Sequence, residues 1–287
     1  MKTKIVFFGS SKHVIPVIQT LKSTKSGFNL VLVVTTEKNP SDPIPHFCNK
    51  NKIMYISVAS VTSLNNSIIN GQLSMVNCQL AALAYFGLII PQKVLKFFSK
   101  GIINIHPSLL PKYRGPTPVQ SAILNGEKTT GVSIIRLDNK IDHGPILAQK
   151  EEKILKDDTA DTLYARLFKS GSDLVAQTIK QYIKEQLKPH QQDHSKATFT
   201  KLLKKNDGQI NIDNPPSSIK IDKMIRAYHP WPGTWTRSMI NGKSSIIKFL
   251  PEKKLQVEGK NPMSYKDFIN GYPKGRDLLR KINLTPN

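Results

Sequence analysis

The stretch "KIVFFGSSKHVIPVIQTLKS", residues 4–23, opens with an apolar run that closes on Gly9. After a short polar turn, apolar residues return at helical spacing, so the segment reads as strand, turn and helix, with the helix over roughly 12–24. The run shows no polar alternation, which is the pattern of a strand covered on both faces. Working outward, "LVLVVTT" (30–36), "CQLAALAYFGLIIP" (78–91) and "GIINIH" (101–106) supply three more such runs, and helical stretches over 91–99 and 116–125 alternate with them. The alternation predicts an α/β domain built on a mostly parallel sheet.

Further along, "TGVSIIRLD" (130–138) and "GPILAQKEEKI" (144–154) read as two strands joined by a turn and antiparallel to each other. Residues 157–186 keep helical periodicity behind Asp cap candidates, giving one long helix. Periodicity is lost over 187–199. Beyond it "GQINI", "GTWTRSMI", "SSIIKFL" and "KLQVE" are short apolar pieces with turn signals, consistent with a small β-rich domain. The expected organisation is a sheet domain over 1–188, a linker over 189–204 and a basic β-domain over 205–287.

Bulk properties narrow the function. No apolar stretch has the length of a membrane span, and the N-terminus reads as a first strand rather than a signal peptide. Two cysteines, Cys48 and Cys78, give neither a disulfide framework nor metal-ligand spacing, which predicts a cytoplasmic protein. Lys and Arg number 42 against 20 Asp and Glu, for a net charge of +22. A field of that size attracts polyanions, nucleic acid first among them. Only seven of the 42 are Arg, however, and the chain is rich in Asn and Ile, so a compositional bias of the genome explains part of the excess.

An α/β sheet invites a search for phosphate-binding glycines. After the first strand the chain reads Gly9-Ser10-Ser11-Lys12, without the further glycines that a pyrophosphate needs, and no P-loop is present. No nucleotide cofactor is expected. In open α/β sheets the site lies beyond the carboxyl ends of the strands, which is where "NIHPSLLPKYRG" (104–115) falls. Asn104 and His106 stand at i, i+2 and so face one way, and Pro107 stops the strand behind them. Asp142, in the turn before His143 and Gly144, is the carboxylate candidate. Amide, imidazole and carboxylate together make a donor, a base and an orienting group. Taken singly, each has a plainer explanation: a histidine at a strand end is ordinary, and Asp commonly organises turns. His106 and His143 lack metal-ligand spacing, so no metal is expected. Spacing alone leaves catalysis and simple turn chemistry both open.

The run "NIHPSLLPKYRGPTPVQSAILNGEKTTGVSIIRLDNKIDHGPIL" resembles the formyltransferases that use 10-formyltetrahydrofolate, closest to the branch that formylates methionyl-tRNA. The likeness carries N-x-H-x-S-L-L-P-x-x-R-G, T-G-V-S and a D-x-G turn, and it extends to "KIVFFGSS", "AYFGLIIPQKVL", "KLLKKNDGQINID", "RAYHPWPGTW" and "MSYKDF". The resemblance implies a Rossmann-like catalytic domain with a C-terminal oligonucleotide-binding-type β-barrel. It also implies formyl transfer from 10-formyltetrahydrofolate, as co-substrate, to the α-amino group of initiator methionyl-tRNA by a monomer. Asn104, His106 and Asp142 match the catalytic triad, Ser108, Leu109, Leu110 and Pro111 the folate loop, and Tyr85, Phe86 and Gly87 the pterin pocket. In that reading Asn104 donates to the formyl oxygen, His106 held charged by Asp142 stabilises the oxyanion, and Asp142 helps to remove the amine proton.

Lys112 and Arg114 are then expected as a basic rim touching tRNA, while Trp231 and Trp235 read as packing residues ahead of base-stacking ones. Two alternatives stand beside this reading: a formyltransferase for amino-sugar nucleotides, and a non-enzymatic RNA-binding protein on the same scaffold. One departure is visible: the loop over 35–47 is shorter than the family's basic tRNA loop and carries Glu37 and Asp42.

Overall fold

The computed structural model of the chain describes residues 2–36, 43–69, 71, 73–240 and 242–284. Glu37 and Asp42, and with them the departure in the 35–47 loop, lie outside the described residues. The chain divides into two compact units, one of Met1–Pro118, Thr129–Lys153 and Tyr164–Thr200, the other of Val119–Lys128, Ile154–Leu163 and Lys201–Asn287.

The first unit carries a seven-stranded sheet. Its strands are β1 (Thr3–Gly9), β2 (Phe28–Thr36), β3 (Tyr55–Val58), β4 (Ala81–Ala84), β5 (Ile102–His106), β6 (Thr129–Arg136) and β7 (Ile146–Lys153), in the order 3-2-1-4-5-6-7. β1 to β5 are parallel, β6 runs antiparallel to β5, and β7 antiparallel to β6. The sheet is therefore mixed: the α/β expectation and the antiparallel pairing of the two later strands are met, and the structure puts that pair at one edge. Helices α1 (Ile15–Lys22), α2 (Pro43–Lys50), α3 (Val61–Ile69) and α4 (Gln92–Phe97) connect the parallel strands. Along the chain they are followed by α5 (Pro118–Asn125), which falls almost wholly in the second unit, and by the long α6 (Ala160–Ile183), whose first turn does so too. On one side of the sheet Phe8 meets Phe86 and Phe98 edge-on, at 5.4 and 5.9 Å between ring centres, inside a cluster that includes Val6, Leu32 and Val34.

Two differences from the sequence reading have local causes. The apolar run 78–91 is a strand only over Ala81–Ala84, because Tyr85 (φ +48°) and Gly87 (φ +77°) turn the chain out of the sheet. β3 was not anticipated: it has four residues, three of them only half-buried, too few to show a period. The cap of α6 comes from Thr159, whose hydroxyl accepts the Thr162 N–H, while Asp158 accepts the Thr162 hydroxyl.

The second unit holds a four-stranded antiparallel sheet of β8 (Thr234–Ile240), β9 (Lys243–Leu250), β10 (Lys254–Val257) and β11 (Met263–Ser264), with β8 and β11 at its ends. Helices α7 (Ser218–Ala227), α8 (Tyr265–Gly271) and α9 (Gly275–Lys281) join it, which the reading of a small β-rich domain did not foresee. "GQINI" forms no strand; Gln209 makes an isolated bridge to Trp235. Trp235 is buried and its indole donates to the Lys205 carbonyl, whereas Trp231 is exposed.

Candidate active site

Order reversal places the crevice of this sheet between β1 and β4, the strands from which the chain departs in opposite directions. There the Ser10 N–H donates to the Tyr85 carbonyl across the strand ends. Tyr85 is partly exposed and stands edge-on to Tyr164, with His13 nearby, while Phe86 turns inward to the core. A Cβ at Gly87 would meet nothing within 4 Å, so there is open space on that side of its Cα.

One strand over, β5 ends in Asn104 and His106. Asn104 and His106 are 6% and 4% exposed and project from the same face of the strand. The connection from β6 to β7 brings Asp142 over them. Asn104 Nδ2 donates to Asp142 Oδ1 at 3.2 Å, and His106 Nδ1 lies 3.5 Å from Asp142 Oδ2. That second oxygen also accepts the Gly115 N–H at 2.8 Å. His106 Nε2 sits 2.9 Å from the Tyr113 carbonyl, which can only accept, so Nε2 carries the proton and Nδ1 is the nitrogen turned to Asp142. Asp142 itself is left-handed (φ +48°), a conformation costing a non-glycine residue about 1 kcal/mol and tolerated best by Asp and Asn.

The loop after β5 is fastened to the antiparallel strands. The Ser133 hydroxyl donates to the Ser108 carbonyl at 2.6 Å and accepts from the Leu110 N–H at 3.0 Å and from Gln149 Nε2 at 2.7 Å. Gln149 also donates to the Leu110 carbonyl. Ser108 is fully buried and its hydroxyl donates to the Lys112 carbonyl, closing the turn. Leu109 packs on Gly131, where a Cβ would come within 2.5 Å of it, and the Leu110–Pro111 peptide is cis. Lys112 N–H donates to the Leu109 carbonyl, so this residue closes the same turn.

Arg114 departs from the expected rim. It is 3% exposed, and Nε and Nη2 both donate to Gln192 Oε1 at 3.2 and 2.6 Å. Burial lowers its pKa, against the pull of Asp142 and Asp138. Nη2 also donates to His194 Nδ1 at 2.8 Å. His194 in turn stacks on His143 at 4.0 Å, and His143 holds Asp138 at 2.6 Å. Partial desolvation, then His143, Arg114 and Lys140, hold the His194 pKa below its ordinary 6.5. An arginine so enclosed presents nothing to a phosphate.

Gln192 and its neighbours come from the segment read as a linker, and no periodicity or motif in the sequence marks them. The segment lies along the first unit: His190 bridges Ile146, Arg114 bridges Phe199, and the Tyr113 N–H donates to the Thr198 hydroxyl. Gln192 Nε2 donates to the carbonyls of Asp142 and Gly144 at 2.9 and 2.7 Å.

The profile of the formyl transferase family matches residues 3–179. The chain is 32% identical to the methionyl-tRNA formyltransferase of Thermodesulfovibrio yellowstonii over 314 aligned positions, covering 99% of this chain and 98% of that protein. It is 38% identical to the methionyl-tRNA formyltransferase of Chloroflexus aurantiacus over 241 positions, covering 81% and 76%. In fold it is similar to a 4-N formyltransferase from Francisella tularensis, with a TM-score of 0.69 at 19% identity over 88% of this chain and 99% of that one.

Proposed function

The chain belongs to the formyl transferase family, and from that premise we propose that it moves a formyl group from 10-formyltetrahydrofolate to the α-amino group of methionine carried on initiator tRNA, for the start of translation. One observation carries the chemistry: an amide, an imidazole and a carboxylate from two distant segments converge within 3.5 Å, under a backbone N–H.

Asn104 uses one amide hydrogen on Asp142, and its second is the donor for the formyl oxygen. The amine lone pair attacks the formyl carbon, whose carbonyl becomes an oxyanion held by that donor. The nitrogen, now an ammonium, gives its proton to the Asp142–His106 pair, where Nδ1 is the open acceptor and Asp142 stabilises the imidazolium formed. That charge also favours the oxyanion. The proton then passes to folate N10 as the carbon–N10 bond breaks, leaving a formamide and tetrahydrofolate. His106 thus works from Nδ1, since its Nε2–H is held by Tyr113.

The turn Ser108–Pro111, with Tyr85, Phe86 and Gly87 at the crevice, is proposed to receive the folate. The space beside the Gly87 Cα and the Tyr85 and His13 rings nearby suit a flat heterocycle. The second unit is proposed as the oligonucleotide-binding-type module. It carries a groove of about 1020 Å³ lined by Arg237, Lys274 and Lys281 together with Asp213 and Asp277, polar side chains such as Asn206 and apolar ones such as Ile212 and Met239. Lys112 remains a candidate tRNA contact. Action in the cytoplasm as a monomer belongs to the same proposal; among the described residues no helix is long and apolar enough to cross a membrane.

The test supplies 10-formyltetrahydrofolate with either methionyl-tRNA or an amino-sugar nucleotide. Formyl-methionyl-tRNA is the expected product. Product from the sugar alone overturns the acceptor, and no product from either favours the RNA-binding alternative.

A further inference from the structure

We propose that Gln192 is a positioning residue for the transfer: its carboxamide holds the Asp142 loop in the conformation that turns the carboxylate onto Asn104 and His106. The proposal rests on the reading of those three residues as the reacting group.

Gln192 is 5% exposed. Its oxygen accepts twice from Arg114, and its nitrogen donates twice, to the Asp142 and Gly144 carbonyls. A carboxamide has two hydrogens and two lone pairs, and all four are used. Arginine only donates and a carbonyl only accepts, so the amide has one satisfactory orientation. The two carbonyls flank His143, and the first belongs to the left-handed Asp142 itself, a backbone that needs holding.

Arg114 completes a second connection. Its main chain donates to the Thr198 carbonyl and accepts the Thr200 N–H, while its neighbours Tyr113 and Gly115 supply the carbonyl on His106 and the N–H on Asp142. The Arg114–Gln192 pair thus joins the loop that holds His106 to the loop that carries Asp142. Loss of the pair loosens one against the other, and a misplacement of about 1 Å costs on the order of a hundredfold in rate.

Gln192→Glu separates this role from simple bracing. The carboxylate keeps an acceptor for Arg114 but sets an oxygen against the two carbonyls in place of the donors. The expected result is a kcat on methionyl-tRNA lowered about 10- to 100-fold, with KM for both substrates close to wild type. Faster hydrogen exchange over residues 138–146 should accompany it. Should that variant not fold, Gln192→Met, similar in length and without donors, is read the same way. An unchanged kcat overturns the proposal, as does a lowered Tm with raised KM and unchanged kcat. Wild-type protein inactive on methionyl-tRNA counts against the function above, not the clamp; in that case unchanged exchange over 138–146 is the result that overturns the clamp.

Discussion

At the scale of single residues, the triad makes unequal use of its atoms. Asp142 accepts hydrogen bonds from Asn104 and Gly115 and lies 3.5 Å from His106 Nδ1, so its loss removes both orientation and charge. Replacing Asn104, His106 or Asp142 by Ala should lower kcat on the order of a hundredfold or more, as loss of an oxyanion donor does, with the circular dichroism spectrum retained. A His106→Ala protein of near-full activity would remove the histidine from the chemistry. His194 offers an independent reading of the same neighbourhood. Its Nδ1 accepts from an arginine, so the folded state keeps the ring neutral, and its pKa lies below the ordinary 6.5. Its contribution to stability is therefore complete above 6.5 and is lost as pH falls through the lowered value. Titration of the His194 ring by NMR should give a midpoint under 6.5, and His143→Ala should move it up. A wild-type midpoint at or above 6.5 would contradict the stacked arrangement.

At the scale of elements, the antiparallel pair β6–β7 does what a parallel crossover would not: it carries a loop back over the face of β5. Gly144 makes that return possible, since a Cβ there would stand 1.9 Å from the Arg136 carbonyl. Gly144→Ala should cost about 1–3 kcal/mol, by urea unfolding, through displaced backbone, and lower activity with it. Stability equal to wild type would mean that the loop has another path. This element also marks how far the sequence could be read. The i, i+2 spacing of Asn104 and His106 was legible because a strand fixes which side chains share a face. Asp142 was legible as a turn residue, but its meeting with Asn104 depends on a nine-residue connection whose course no period encodes. Gln192 and the inward turn of Arg114 were illegible for the same reason: both are set by pairing between segments some 80 residues apart. The short β3 and the early end of β4 were lost to length and to left-handed backbone, neither of which alters hydropathy.

At the scale of the whole molecule, the charge of +22 bears on the acceptor rather than on the fold. If Lys and Arg neutralise tRNA phosphates, log affinity should fall linearly with log salt, with a slope near −0.9 for each phosphate met in duplex regions. KM for the folate should change far less over the same range. Equal salt dependence for both substrates would mean that the excess charge is compositional. The segment over 189–200 has a further consequence for handling the protein. Its composition invites a protease, yet bridges and hydrogen bonds from Ile146, Pro111, Tyr113 and Arg114 stitch it down. Limited trypsin digestion should spare Lys196 and nick first between Thr200 and the short turn that opens at Lys205, so that the first cut leaves Gln192 on the same fragment as Asn104, His106 and Asp142.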